Sequence, residues 1–144
     1  MSAGYLRPPI DEHNAGFWEG THQGELRVER CGGCEALRFP PRPMCPGCRS
    51  TERNWVAVSG EGVIWSFVVP HPPLLPAFAE ISPYNVIVVD LPEGDQLRMV
   101  GNLVAAASGP INEIDPATIQ IGARVRVVFE AEEEDLSLTR WVLR

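Results

Sequence analysis

The 144-residue chain contains no lysine: twelve arginines face nineteen acidic residues, for a formal net charge of −7. Without a lysine amine the chain cannot itself carry out imine-forming aldolase or decarboxylase chemistry. The acidic balance also opposes a nucleic-acid ligand, because that affinity comes largely from cationic contacts that release counterions. Histidine is scarce, present only at His13, His22 and His71, and none of the three stands in a nucleophile or metalloprotease motif. Ser59, Ser66 and Ser108 have no nucleophile elbow around them, and Gly60-Glu61-Gly62 lacks the lysine and the spacing of a phosphate-binding loop. No run approaches about eighteen apolar residues, and the opening of the chain is mixed polar, so neither a membrane span nor a signal peptide is expected. The expected location is the cytoplasm, with no membrane partner.

Cysteine is absent everywhere except in RCGGCEALRFPPRPMCPGCR, Arg30 to Arg49, where it forms the pairs Cys31/Cys34 and Cys45/Cys48 around the ten residues Glu35 to Met44. In a reducing compartment four closely spaced thiols hold a metal more readily than they form two disulfides. A two-residue spacer turns both thiolates of a pair towards one ion, and a hairpin excursion between the pairs returns the second to the first. Four soft thiolates leave no position for water, so the expected centre is structural and not catalytic, a Zn2+ site of zinc-ribbon type. Iron in a rubredoxin-like site accepts the same ligands and stays open. A dithiol redox centre needs only one such pair and usually opens a helix, whereas both pairs here lie beside glycine and proline.

Apolar residues make up 44% of the chain, with four tryptophans and five phenylalanines, enough for a packed core. A unit of under about 60 residues needs a staple such as a metal, which is the place of the cysteine cluster. MSAGYLRPPI reads as an extended arm because of Pro8 and Pro9. Asp11 to Gly20 is expected to be a short helix, capped by Asp11 and anchored by Phe17 and Trp18. Glu25 to Arg30 alternates as a strand, with Leu26 and Val28 on one face.

From Val56 onward, stretches rich in valine and isoleucine are separated by Gly, Pro, Asp and Asn. Five strands follow: Gly62 to Val69, Tyr84 to Leu91, Leu97 to Ala105, Arg124 to Glu130 and Leu136 to Leu143. Pro92 to Asp95 is the turn of a hairpin, and the glycines of Ser59 to Gly62 suggest a bend or bulge. Val125, Val127 and Phe129 share a core-facing side. The expected fold is mainly β: an N-terminal arm and helix over residues 1–24, a zinc ribbon over 25–55, and a five-stranded OB-fold barrel over 56–144, with a sandwich as the alternative.

Pro70 to Pro83 holds five prolines in fourteen residues and cannot join a ladder. Its His71, Leu74, Leu75 and Phe78 are candidates for partner or ligand contact, against the plainer reading of a loop folded back over the barrel mouth. Trp18, Trp55, Trp65 and Trp141 could stack on bases, but Arg alternates with Glu along the chain and a basic groove is not expected.

FWEG at Phe17 to Gly20, GELRVERCGGC, FPPRPMCPGC at Phe39 to Cys48, W-x-x-V-S-G-x-G at Trp55 to Gly62, PYNVIVVDLPEG and IGARVRVVFE occur in an order specific to one group of proteins. Through them nearly the whole chain resembles a bacterial and archaeal domain-of-unknown-function family that joins a rubredoxin-like zinc ribbon to an acyl-CoA-associated OB fold. One departure is Glu35, where such knuckles often carry glycine. The resemblance implies a noncatalytic accessory subunit of a thiolase-superfamily acyl-CoA enzyme, a thiolase or a retro-aldolase in lipid or steroid side-chain metabolism, in a hetero-oligomer. Partnership with a hot-dog-fold acyl-CoA hydratase, or a freestanding acyl-CoA or nucleic-acid binding module, are the alternatives. Arg38 and Arg42 are candidates for contact with the phosphates of an acyl-CoA thioester.

Overall fold

Asp11 does not cap the first helix. Its Oδ1 accepts from the backbone N–H groups of His13 and Asn14 at 2.8 and 3.0 Å, and Asn14 Oδ1 accepts from the Asp11 N–H at 2.8 Å, which holds a turn ahead of the helix. In the computed structural model, which describes residues 6–144, helix α1 therefore spans Ala15–His22. The first five residues of the expected arm lie outside the described residues. Phe17 is buried and meets the rings of Trp18 and Phe39 at centroid distances of 4.9 and 5.1 Å.

Strands β1 (Arg27–Cys31), β2 (Leu37–Arg38) and β3 (Arg53–Ala57) form an antiparallel sheet in the order β2-β1-β3, with Glu29 opposite Arg38 on one side and Trp55 on the other. Leu26 and Val28 are both buried, as their shared face requires. The second sheet contains β4 (Glu61–Val68), β5 (Val86–Asp90), β6 (Arg98–Gly101), β7 (Arg124–Glu133) and β8 (Leu136–Leu143), in the order β6-β5-β4-β7-β8 with every pairing antiparallel. This sheet curls until its two edges touch in a parallel bridge between Leu103 and Trp141. Trp141 N–H donates to the Asn102 carbonyl at 3.0 Å, and Val104 N–H donates to the Trp141 carbonyl at 2.8 Å. The buried Asn85 side chain holds the crossing: its Oδ1 accepts from Leu103 N–H at 2.7 Å and its Nδ2 donates to the Leu103 carbonyl at 2.9 Å. A curled five-stranded sheet beside a small ribbon sheet and one short helix matches the mainly β fold expected from the strand pattern.

Two strands differ from expectation for identifiable reasons. The β6 ladder stops at Gly101, short of Ala105, because the chain leaves β5 there to reach β8. The register shift of β4 falls between Ile64 and Ser66, not at the preceding glycines, and it leaves Trp65 49% exposed on the outer surface. Arg98 stacks its guanidinium 3.9 Å above the Trp65 ring.

One core runs through both sheets: Phe17 of α1 and Val28 of β1 belong to the same buried cluster as Ile64, Met99, Val125 and Trp141. Val127 and Phe129 pack against it half-buried. A second cluster contains Tyr84, Val104, Ile111 and Val142, and against it lie Leu74, Phe78 and Ile81. Val142 alternates with Trp141 along β8, so the Pro70–Pro83 loop folds back on the face of β8 opposite the main core. Within the loop a four-residue helix, α2 (Pro76–Ala79), begins on proline. Among the described residues no helix is long and apolar enough to cross a membrane.

Candidate metal centre

The end of β1 carries Cys31 into the first knuckle. There the backbone turns so that Gly33 N–H donates to Cys31 Sγ at 3.3 Å and Glu35 N–H donates to the Cys31 carbonyl at 3.1 Å. The second knuckle repeats the closing bond, with Arg49 N–H donating to the Cys45 carbonyl at 2.9 Å. Both knuckles end on a left-handed residue, Glu35 at φ 64° and Arg49 at φ 65°. The missing glycine thus leaves the turn intact, at a cost of roughly 1–2 kcal/mol per non-glycine residue in that region. Gly33 is required for a different reason: a Cβ there would lie 2.9 Å from Ser50 Cβ and 3.0 Å from Cys48 Sγ.

All four sulfur atoms lie within 4.8 Å of one another, with Cys31 and Cys45 buried and Cys34 and Cys48 exposed. The Cys31 and Cys48 sulfurs are 3.5 Å apart, and those of Cys34 and Cys45 are 3.7 Å apart. Sulfurs bound tetrahedrally at about 2.3 Å from one ion would be about 3.8 Å apart. The spacing therefore fits a tetrathiolate metal, and the acid–base chemistry agrees. Donation from the Cys34 and Gly33 N–H groups lowers the Cys31 thiol to about 6, and donation from Cys48 and Gly47 lowers Cys45. At Cys34 the Ala36 N–H pulls downward, but proton sharing with the sulfurs of Cys45, Cys31 and Cys48 outweighs it and pushes this thiol up to about 11. Four thiols this close repel one another once ionised, and a cation among them would offset that charge.

Glu29 lies behind the knot, fully buried. Its Oε1 accepts from Arg38 Nε at 2.5 Å and from the Arg42 N–H at 3.1 Å, and its Oε2 accepts from Arg53 Nη1 at 2.7 Å. Arg53 also donates to the carbonyls of His13 and Glu12, so one carboxylate ties the ribbon excursion, β3 and the approach to α1 together. Strand alternation hides this residue, since Glu29 follows the core residue Val28 and reads as solvent-facing. The only signal was an acidic residue in the central strand of the ribbon, since the arginines beside it in sequence, Arg27 and Arg30, bond elsewhere and its partners Arg38 and Arg53 come from the neighbouring strands.

Of the other site residues, Arg38 is engaged with Glu29 and its side chain is only 10% exposed, whereas Arg42 is exposed. His71 and Leu75 are exposed on the proline-rich loop, and Leu74 and Phe78 are half-buried against the second cluster. The structure brings the four cysteines together; Arg38 and Arg42 lie next to them in the excursion, and the loop residues belong to the other sheet. Strands β4 and β6 also expose apolar groups for which the sequence pattern gave no contact signal, Val68 and Val100, together with Trp65.

Comparison with known proteins gives two family matches: residues 18–52 match the rubredoxin-like zinc ribbon domain of ChsH2, and residues 55–130 match the C-terminal OB-fold domain of ChsH2. A solved structure described as an Ltp2-ChsH2(DUF35) aldolase superposes with a TM-score of 0.77 at 36% identity, covering 95% of this chain and 98% of that one. A DUF35 domain-containing scaffold protein of Methanocaldococcus jannaschii is 32% identical over 74% of this chain and 68% of its own length. The 3-oxo-4,17-pregnadiene-20-carboxyl-CoA hydratase alpha subunit of Mycobacterium tuberculosis is 36% identical over 94% of this chain. A probable enoyl-CoA hydratase alpha subunit of Thermomonospora curvata is 40% identical over 96%. The chain spans 39% of the length of each of these two hydratase subunits. With the paired cysteines, the ribbon sheet and the curled sheet in the matching order, the chain belongs to the ChsH2/DUF35 family of zinc-ribbon and OB-fold proteins.

Proposed function

We propose that the chain is a noncatalytic accessory subunit that binds and supports a thiolase-superfamily acyl-CoA enzyme, a thiolase or a retro-aldolase acting on lipid or steroid side chains. The observation that carries this reading is the end-to-end match, 95% of this chain against 98% of the other, to a chain of the Ltp2-ChsH2(DUF35) aldolase. Supporting it, the sequence has no lysine for imine formation, and the scaffold-protein relatives carry a name of the same sense.

In this proposal residues 1–24 form the arm and helix, 25–55 the ribbon and 56–144 the OB-fold domain. Cys31, Cys34, Cys45 and Cys48 hold a structural Zn2+, which supplies a cross-link with no open coordination position. Leu74 and Phe78 anchor the proline-rich loop, so that Leu75 and His71 face a partner subunit with little ordering cost. Trp65, Val68 and Val100 add apolar contact area. Arg42 is the exposed guanidinium available to the phosphates of an acyl-CoA thioester, while Arg38 shapes the excursion that carries it.

Co-expression with a thiolase-like enzyme encoded beside this chain tests the proposal. The expected result is a stoichiometric complex that cleaves or thiolyses a thioester its large subunit cannot turn over alone. Turnover by the isolated chain, or a large subunit fully active without it, would contradict the proposal. The names of the two hydratase alpha subunits favour a second reading, in which the partner is a hot-dog-fold hydratase. Hydration of an enoyl thioester by the corresponding complex, without carbon–carbon cleavage, decides for that partner.

A further inference from the structure

A tetrathiolate centre around a divalent ion is a dianion, and in this fold it lies beside a second buried anion, the carboxylate of Glu29. Buried negative charge of this size needs cations or donors at close range. Gly33 N–H is one donor to Cys31 Sγ. Arg38 lies across the ladder from Glu29 and uses Nε on that carboxylate at 2.5 Å, and its Nη2 approaches the Arg42 carbonyl at 3.4 Å. Its remaining amino group, Nη1, is buried and meets no hydrogen-bonding geometry. Arg53, the other cation on Glu29, spends its groups on Glu29, His13 and the Glu12 carbonyl. Cys31 stands two residues beyond Glu29 on β1, so both side chains leave the same face of the strand, and Arg38, opposite Glu29 in the ladder, is the diagonal neighbour of Cys31 on that face.

We propose that Arg38 is the cation that backs the metal centre, with Nη1 donating to the Cys31 sulfur while Nε stays on Glu29. This rests on the metal-binding part of the proposed function and adds a positioning role that the four ligands do not supply. One planar guanidinium thereby links the carboxylate that holds the ribbon to the thiolate that holds the metal, a geometry that a lysine amine could not reproduce. Hydrogen bonding to a metal-bound thiolate lowers the energy of its lone pairs, which raises the sulfur-to-metal charge-transfer energy and favours retention of the ion.

The test uses the full chain loaded with Co2+ as a spectroscopic probe and compares Arg38→Met with Arg53→Met, each of which deprives Glu29 of one cation. For Arg38→Met, the sulfur-to-cobalt band moves to lower energy and a competing chelator removes the metal about tenfold more readily, the lower end of what loss of a partner behind a ligand costs. For Arg53→Met, which loses stability but leaves the thiolate's donor in place, the band stays at the wild-type position. If Arg38→Met folds poorly, the double variant Glu29→Gln/Arg38→Met removes the unpaired charge, and the same band shift is expected from it. An unshifted band in the Arg38 variants, or an equal shift in Arg53→Met, overturns the inference. Failure of the wild-type chain to take up cobalt would overturn the metal reading itself, a result distinct from an unshifted band.

Discussion

Glu29 is a charge with no access to water, and its two arginine partners are themselves mostly buried, with side chains 10% and 19% exposed. Breaking such an arrangement from one side leaves the remaining charges without compensation, at about 3–5 kcal/mol. Glu29→Leu should therefore lower the stability of the metal-loaded chain by about that amount in denaturant titration, and adding Arg38→Met and Arg53→Met should restore part of it. A second carboxylate gives a pH-dependent outcome. Burial raises the pKa of Glu130, Arg140 opposes it and Glu132 adds to it. A carboxyl whose pKa is higher folded than unfolded favours the fold below its unfolded pKa, and that contribution is lost as pH rises through the folded value. The stability difference between the wild type and Glu130→Gln should accordingly fall for the wild type as pH rises from the acid side, and a rising difference would contradict the assignment. Neither residue announces itself in the sequence. Glu29 reads as the outward partner of Val28, and only the excursion that carries Arg38 over the second face of β1 makes it a core residue.

Helix α1 shows how contact between elements overrides local preference. A Cβ at Gly16 would lie 2.2 Å from Trp55 Cδ1, so the helix is docked on β3 through its own backbone. Gly16→Ala gains about 1 kcal/mol of helix propensity but forces overpacking that costs about 1–3 kcal/mol. The expected outcome is a net loss of stability and a change in the Trp55 environment, read from denaturation midpoints and near-ultraviolet circular dichroism. The strands were legible because alternating valine and isoleucine runs between turn residues have few other solutions, and β8 is found at Leu136–Leu143 as the pattern requires. The short β6 and the Trp65 bulge were not legible. Both arise from the closure of the sheet through Leu103 and Trp141, a contact between distant residues that no local period encodes. The convergence of the four cysteines was legible because their spacing sets it, whereas the division of the loop into anchoring Leu74 and Phe78 and exposed Leu75 depended on which sheet face it meets.

The ribbon and the curled sheet share one core, since Phe17, Leu26 and Val28 pack in the same cluster as Ile64 and Trp141. Loss of the metal should therefore weaken the whole molecule and not the ribbon alone. Chelation is expected to lower a single cooperative thermal transition by about 10 °C, which corresponds to about 3 kcal/mol for a chain of this size, when followed through the buried Trp141. Two separated transitions would show that the modules are independent. The central claim joins the metal to the partner: a metal-stapled, catalytically inert module is presented to an enzyme that reacts. Native mass spectrometry of the chain co-expressed with a candidate acyl-CoA enzyme of the proposed kind measures both at once. The account predicts a hetero-oligomer of fixed stoichiometry with one zinc ion per accessory chain. A metal-free chain, or one that flies apart from the enzyme as a lone species, would contradict it.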